Sequence, residues 1–578
     1  MNLSIQKMKG NEYVYLRESF WDSERKKYSS RIIKSFGRLD KLLEENPNAL
    51  DELRKLADAH KENHEKQKRV QINDRIKKFR EESKNIPLKS KQARLMRVGS
   101  CIYRQIWNKL CIQRKLKDIQ QEGNTLFDFP NASFFMVAGR ILMPDSKLSQ
   151  WKSRNQYLYG ADKLQTHHLY RSIDLLSKNK ENIVIYLNKQ IAKKYKRIAS
   201  VALYDVTTYY FESQKSDKLR DFGFSKDNKV NQVQVVLGLL VDDKGIPVDY
   251  ELYPGNTSEI NTMIPILKKL KSLYGIERVT IVADRGLNSR ANLLAIKELG
   301  MDYVVAYRLK GAGKAKKDLI TEEDGWFTLT SNGDADLFRY KISTETRTVK
   351  YDNKRINITS NLLIGYSFKR ALKDEKDRDR LVRKAEKYVE DKTQLNGDMR
   401  RGGKNYLKID IKGIPVELDN DRILNDKFYD GYFGIVYSDN KMTPEEVLDS
   451  YHSLWKIEES FRISKSILEA RPCFHWTEKR IRGHFMICYM ALVLQRLLEQ
   501  ELKNNNIKLS TQQITKILSE ATLTEGPQEN GKLLYYLAFE DEININDFYK
   551  IESAVGLEKL SPISTAAEVK STFHLKSL

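Results

Sequence analysis

The chain has 578 residues, with 101 Lys+Arg against 78 Asp+Glu and a net charge of +23. That length is too great for one core and implies three or four domains, while the basic excess implies a polyanionic partner such as DNA. Four cysteines without a CxxC pair, and no apolar run of the roughly 20 residues a membrane span needs, exclude a disulfide scaffold, a zinc ribbon and a membrane protein, and free thiols in a reducing cytosol are the natural reading.

Residues 1–60 open with Tyr13-Val-Tyr-Leu-Arg and Ile32-Ile-Lys-Ser-Phe-Gly, a small β element that then turns helical. Residues 61–195 read as mainly helical and basic, with Pro87, Pro130 and Pro144 as breaks. Between Lys61 and Gln120 there are 18 basic and 6 acidic residues. Within that stretch Arg94, Arg97 and Arg104 alternate with apolar and aromatic residues at helical spacing, a pattern that suits DNA phosphates or a groove. A solvated helix with snorkelling stems would show the same pattern.

Residues 196–310 alternate strand and helix. Ile198 to Phe211 is rich in β-branched and aromatic residues and reads as a strand, with Asp205 inside it, where an acid is unfavourable unless exposed or paired. Val279-Thr-Ile-Val-Ala-Asp284-Arg-Gly286 is a short apolar run ending in an acid, as in a buried parallel strand whose tip faces a ligand crevice. Ser289 to Leu299 is helical, and Met301 to Arg308 returns as a strand, completing a β-α-β unit. Residues 311–430 change texture. Short alternating runs at Trp326, Phe338, Arg347 and Leu407 predict a mainly antiparallel β insertion, interrupted by a charged helix from about Lys369 to Asp391. In residues 431–505, Gly431 to Tyr437 is a returning strand and Arg482 to Gln500 an apolar helix; residues 506–578 read as a helical region with a frayed tail.

Between those last two elements stands Tyr451-His-Ser-Leu-Trp-Lys-Ile-Glu458-Glu-Ser-Phe-Arg462-Ile-Ser-Lys465. Thr443-Pro444-Glu-Glu446 is a capping box with proline at the first helical position, so a helix starts there. Tyr451, Glu458 and Lys465 are spaced by seven and fall near one face of it. An amphipathic helix with a solvated charged face is the plain alternative. Three remote acids, Asp205, Asp284 and Glu458, are a suitable donor set for hard divalent cations, which prefer carboxylate oxygens.

The order Asp205, Asp284, Glu458, with tyrosine and lysine flanking the glutamate, resembles the DDE transposases of bacterial insertion sequences. Gly223-Phe-Ser-Lys226, Gln232 to Asp242 and Pro254-Gly-Asn256-Thr add to the likeness. The resemblance spans roughly residues 195–500. It implies an α/β, RNase H-like catalytic core with a β-rich insertion between the second aspartate and the glutamate. It also implies two Mg²⁺ ions (Mn²⁺ substituting) held by the three acids, cleavage of double-stranded DNA at element ends and transfer into a target. A homodimer in the DNA complex and a cytoplasmic, nucleoid-associated bacterial protein follow from the same likeness. Tyr451, Arg462 and Lys465 would position DNA. The family pattern carries arginine three residues after the tyrosine; this sequence has Leu454 there, and Arg462 is the cation available in its place. Lys310 and Lys314, in a flexible basic stretch, would follow a phosphate backbone. Trp326 is a candidate for stacking on an extruded base, against packing inside the insertion. A nuclease that hydrolyses without joining strands, and an inactive DNA-binding descendant, are the other readings of the same residues. Cys473, His475, His484 and Cys488 could be drawn as a zinc site, but much of that set lies on an apolar helix.

Overall fold

The computed structural model describes residues 2–8, 11–22, 27–57, 95–159, 161–197, 200–223, 231–274, 279–329, 338–351, 354–390, 403–409, 415–471, 473–527, 533–539 and 544–575. The chain divides into two compact units: Met1–Gln92 with Pro527–Lys532, and Ala93–Gly526 with Leu533–Leu578. In the first, β1 (Asn2–Met8), β2 (Asn11–Asp22) and β3 (Lys27–Arg38) form an antiparallel sheet followed by α1 (Leu39–Glu45), the small β element expected there. Val14 and Leu16 are its buried residues on β2.

The second unit begins with β4 (Leu95–Arg97) and then a helical stretch. This comprises α2 (Gly99–Lys109), α3 (Ile112–Glu122), α4 (Phe129–Leu142), α5 (Lys147–Lys152), α6 (Thr166–Lys178) and α7 (Lys180–Tyr195). Asp128 caps α4 by accepting from the Asn131 amide, with Pro130 in the first turn where its missing N–H costs nothing. The helix α2 is largely an interior element. Ile102, Tyr103, Ile106 and Trp107 are buried to within 1% of full burial, and the stretch packs into the interior.

Next, β5 (Val201–Tyr210), β6 (Gln234–Asp242) and β7 (Pro247–Pro254) make an antiparallel meander. The helix α8 (Met263–Tyr274) crosses over to β8 (Thr280–Ala283), and α9 (Arg290–Glu298) leads to β9 (Asp302–Tyr307). Both β8 and β9 run parallel to β5. The resulting order β9-β8-β5-β6-β7 is the RNase H-like arrangement that the resemblance implied. Side chains alternate across this sheet. Ala202, Tyr204 and Val206 face one apolar cluster with α8 and α9, while Leu203 and Tyr209 face the other.

The insertion is antiparallel, as expected, and joins the core sheet. After α10 (Lys314–Thr321), β10 (Phe327–Leu329), β11 (Phe338–Tyr351) and β12 (Lys354–Ser367) do not close a domain of their own. They continue the core sheet, giving nine strands in the order β10-β11-β12-β15-β9-β8-β5-β6-β7, where β15 (Tyr432–Tyr437) is the returning strand. The bridge is apolar: Leu362, Leu363 and Ile364 on β12 are fully buried beside Ile435 and Val436. The charged helix α11 (Phe368–Glu390) stands where it was expected. The pair β13 (Leu407–Ile409) and β14 (Pro415–Leu418), and α12 (Asn420–Phe428), complete the insertion.

Beyond β15 come α13 (Pro444–His452), α14 (Trp455–Arg462) and the long α15 (Glu478–Asn504). By length and composition α15 alone among the described helices is apolar enough to cross a membrane, yet 94% of its apolar window is buried inside the protein, as a core helix would be. The C-terminal region is not frayed. It holds α16 (Thr511–Glu520), β16 (Thr522–Pro527), β17 (Leu533–Ala538), α17 (Asn544–Ala554), β18 (Ile563–Thr565) and α18 (Ala566–Phe573). A second sheet, β18-β17-β16-β4, ties this tail to the start of the unit, with Phe548 and Phe573 wholly buried.

Candidate active site

Strand register brings the two aspartates together. Tyr204 pairs with Ala283 across the parallel β5–β8 ladder, so one step further along both strands sets Asp205 beside Asp284. Adjacent strands lie about 5 Å apart. Alternation gives the direction. Leu203 on β5 and Val282 on β8 face the cluster that contains α13 and α14, and Asp205 and Asp284, two residues on from each, take the same side. Asp205 is half-buried and accepts from the Val206 amide at 2.7 Å; Asp284 is exposed at the strand tip.

Glu458 comes to that side on α14. Two contacts fix the helix over the sheet. Near its start, the Lys456 ammonium bonds the Asp243 carbonyl at the β6–β7 turn, and beyond its end Ser464 accepts from the Tyr209 hydroxyl at 2.8 Å. Buried Ile457 and Phe461 form the apolar underside, leaving Glu458 exposed. The expected single helix is in fact interrupted. It breaks at Ser453 and Leu454, where the Ser453 hydroxyl bonds the Ser450 carbonyl, and it ends in a π-turn, Ile463–Ile467, that carries Lys465. Tyr451 is therefore on α13 and Glu458 on α14. Burial raises the Tyr451 hydroxyl above the usual phenol range; the Asp284 charge raises it further, Arg370 and Arg285 oppose this, and Glu458 adds to the rise. One hydroxyl thus senses both carboxylates.

All the donors are carboxylate oxygens, the chemistry hard divalent ions take, and the paired aspartates suit such an ion together with substrate oxygens. Among the described residues, however, no three acid, histidine or cysteine groups are gathered closely enough to hold a metal. The structure brings Asp205 and Asp284 abreast and leaves Glu458 over the same face without closing the set.

Other expected contacts fall in several places. Arg462 is exposed and pairs with Glu459 at 3.3 Å; the Lys465 ammonium lies 5.6 Å from the Tyr209 ring. Lys310 pairs with Asp426, and Lys314 is the exposed first residue of α10. Trp326 packs rather than projecting: its indole N–H donates to the Glu322 carbonyl, and its ring meets Tyr432, Arg339 and Lys341. Arg97 and Arg104 are half-buried and engaged within the protein. Arg97 donates to Gln156 and the Ser519 carbonyl, and the Arg104 guanidinium sits over the rings of Phe134 and Tyr159. Arg94 lies outside the described residues.

Several site residues escaped the sequence reading. Asp284, Arg285, Tyr307 and Arg308 line two adjoining cavities of about 410 and 1060 Å³. Arg370 and Arg378 of α11 wall the first; Glu259 and Arg347 wall the second. Glu259 is a further acid beside Asp284: a Cβ on Gly286 would lie 2.6 Å from its Oε2. Trp455, at the start of α14, is 57% exposed. Arg285 adjoins Asp284 in the chain and was legible as a strand-tip cation. Arg370 and Glu259 arrive by tertiary folding and left no local signal.

The profile of a protein family described as the transposase DDE domain matches residues 196–494, more than half of the chain. The chain belongs to the DDE transposase family. The match takes in the RNase H-like strands, the insertion and α14, and so all three acids of this family member. No curated protein matches it. Among solved structures, a piggyBac transposase in a synaptic complex with hairpin DNA is similar at 9% identity and a TM-score of 0.35, over 74% of this chain and 82% of that one, too distant to bear on the site.

Proposed function

We propose that the protein is an active transposase of the insertion-sequence type, cutting double-stranded DNA at the ends of its element and joining them to a target. The observation that supports this is the juxtaposition of Asp205 and Asp284 on neighbouring parallel strands, on the side of the sheet crossed by the helix of Glu458. The three carboxylates would hold a pair of Mg²⁺ ions, with Mn²⁺ as substitute, and those ions supply activation of the attacking water or hydroxyl and stabilisation of the leaving oxygen.

The protein's own groups do the rest. The Tyr451 hydroxyl stays protonated and donates to a phosphate oxygen, since burial and the neighbouring carboxylates oppose its ionisation. Lys465, Arg462, Lys310 and Lys314 would position the DNA strand, Arg462 and Lys310 by exchanging Glu459 and Asp426 for phosphates. The break at Ser453 and Leu454 and the π-turn at Ile463–Ile467 bracket the eight residues of α14, and they are the hinges through which Glu458 completes the acid set when DNA binds. Joining two ends to one target calls for two copies of the chain.

The test is Asp284→Asn. The variant should bind duplexes carrying the element's ends and fail to cut them in Mg²⁺. A variant that cuts at the normal rate ends the proposal. Wild-type protein that cuts but never transfers the freed 3′ end would instead be a nuclease on the same core.

A further inference from the structure

Between the π-turn and α15 the chain presents two large aromatic rings to solvent. Phe474 and Trp476 are each 66% exposed, although buried Cys473 and half-buried His475 anchor the same stretch. Cys473 is 5% exposed, and the His475 ring packs against Tyr170 and His484 with centroids 6.4 and 5.4 Å away. His484 in turn lies 3.6 Å from the Cys488 sulfur, and burial among Lys147, Arg480 and Arg140 lowers His475 to about 4, so this anchor is uncharged at neutral pH. Alternation of inward Cys473 and His475 with outward Phe474 and Trp476 holds the rings out on a fixed backbone. Exposing two such side chains forgoes apolar burial.

The surroundings are cationic. Arg471 lies 5.5 Å from the Tyr210 ring; the Arg220 guanidinium, buried and paired with Asp217, lies 5.6 Å from the Trp476 ring and braces it from below. From Arg471 to Arg482 the chain carries four cations, Arg471, Lys479, Arg480 and Arg482, against the acid Glu478; Lys479 and Arg480 share Asp174, and Arg482 pairs with Glu478. Phe222, two residues beyond Arg220, is 42% exposed. Positive charge beside the rings suits a polyanion better than another apolar protein face.

We infer that Phe474 and Trp476, with Arg471 nearby, form a stacking platform for unpaired nucleobases of a DNA strand. Rings interleaved with cations recognise single strands in this manner, because every base offers a π-face and every nucleotide a phosphate. The platform is separate from the carboxylates. It adjoins the far end of β5, and Phe211 is six residues past Asp205, or about 20 Å along an extended chain. A strand held there would be flanking DNA, not the phosphodiester being cut. This inference rests on the DNA-processing reading above and adds a base-contacting surface to it.

Binding decides it, measured on the full chain carrying Asp284→Asn so that no cleavage is required. Anisotropy of a labelled short oligothymidylate is compared with that of a duplex of equal length. Trp476→Ala and Phe474→Ala should each weaken oligothymidylate binding by roughly five- to a hundredfold while duplex affinity changes less than about twofold. Trp476→Phe should retain most of the affinity, since the ring remains. Both side chains are exposed, and an unchanged melting temperature checks that the variants fold. Alanine variants that bind oligothymidylate like the parent overturn the inference, as does equal loss on both probes. A change in sedimentation behaviour with no change in DNA binding assigns the rings to a second copy of the chain and also overturns it. None of these outcomes depends on whether Asp284 is needed for cutting.

Discussion

The Tyr209 hydroxyl donates to Ser464 Oγ at 2.8 Å, joining the strand of Asp205 to the π-turn that follows Glu458. Both residues are buried, and this bond sets how far α14 can slide along β5. Tyr209→Phe removes a bond of about 1 kcal/mol and leaves the ring in place. Cleavage should fall about tenfold with end binding unchanged. Ser464→Ala should match it, and the double variant should be no worse than either single. Additive losses in a cleavage assay would show that the two side chains act independently.

Gly286 has a neighbour that a methyl group would disturb. A Cβ there meets Glu259 Oε2 at 2.6 Å, and a flexible carboxylate end yields more readily than backbone. Gly286→Ala should therefore fold with a melting temperature close to wild type while displacing Glu259 from the cavity it shares with Asp284. Its cleavage defect should equal that of Glu259→Gln. If Gly286→Ala cuts normally while Glu259→Gln does not, displacement of that carboxylate is not what the methyl causes.

The insertion helix is held by charge. Arg378 on α11 is 7% exposed and pairs with Asp430, which also reinforces its cationic form. Arg378→Ala leaves that carboxylate without its partner at the cavity wall, a change worth about 3–5 kcal/mol where both groups are buried and less here, since Asp430 is partly exposed. Hydrogen exchange should rise along Phe368–Glu390 before it rises in β5 or α15. Uniform protection across the unit would contradict this.

Glu552 gives a pH dependence with a definite sign. Burial raises its carboxyl to about 8, partly offset by the Leu560 amide, which donates to Oε2 at 3.4 Å. An unfolded glutamate titrates near about 4.3. Across that interval the folded state keeps a proton that the unfolded state has released, so stability falls as pH rises and levels off above about 8. Glu552→Gln should melt with wild type near the low end of the window and above it at the high end. Parallel melting curves across the whole window would refute the assignment.

The acids were legible in the sequence because each ended or interrupted a strongly patterned run: β-branched residues around Asp205, an apolar tetrad before Asp284, a capping box ahead of Glu458. The interruption between α13 and α14 was not, because Ser453 and Leu454 retain helical dihedrals and only a hydroxyl-to-carbonyl bond and the altered ladder mark the break. Arg97 and Arg104 were ambiguous for a different reason. Interleaved cations and aromatics describe a groove-binding helix and a helix whose guanidiniums stack on buried rings equally well, and only tertiary packing separates the two. The tail looked frayed because its lysines are frequent, yet Thr522, Leu523 and Thr524 pair with Arg97, Met96 and Leu95 at the start of the unit.

Because β12 pairs with β15 and β15 with β9, removing residues 311–430 would trim a sheet rather than detach a module. The cut would strip β15 of one neighbour and bare a row of unpaired amides and carbonyls beside Ile435 and Val436. Such a margin invites a strand from another molecule. A shortened gene of this design would yield aggregate, and a smaller transposase would need a new edge as well as a shorter chain.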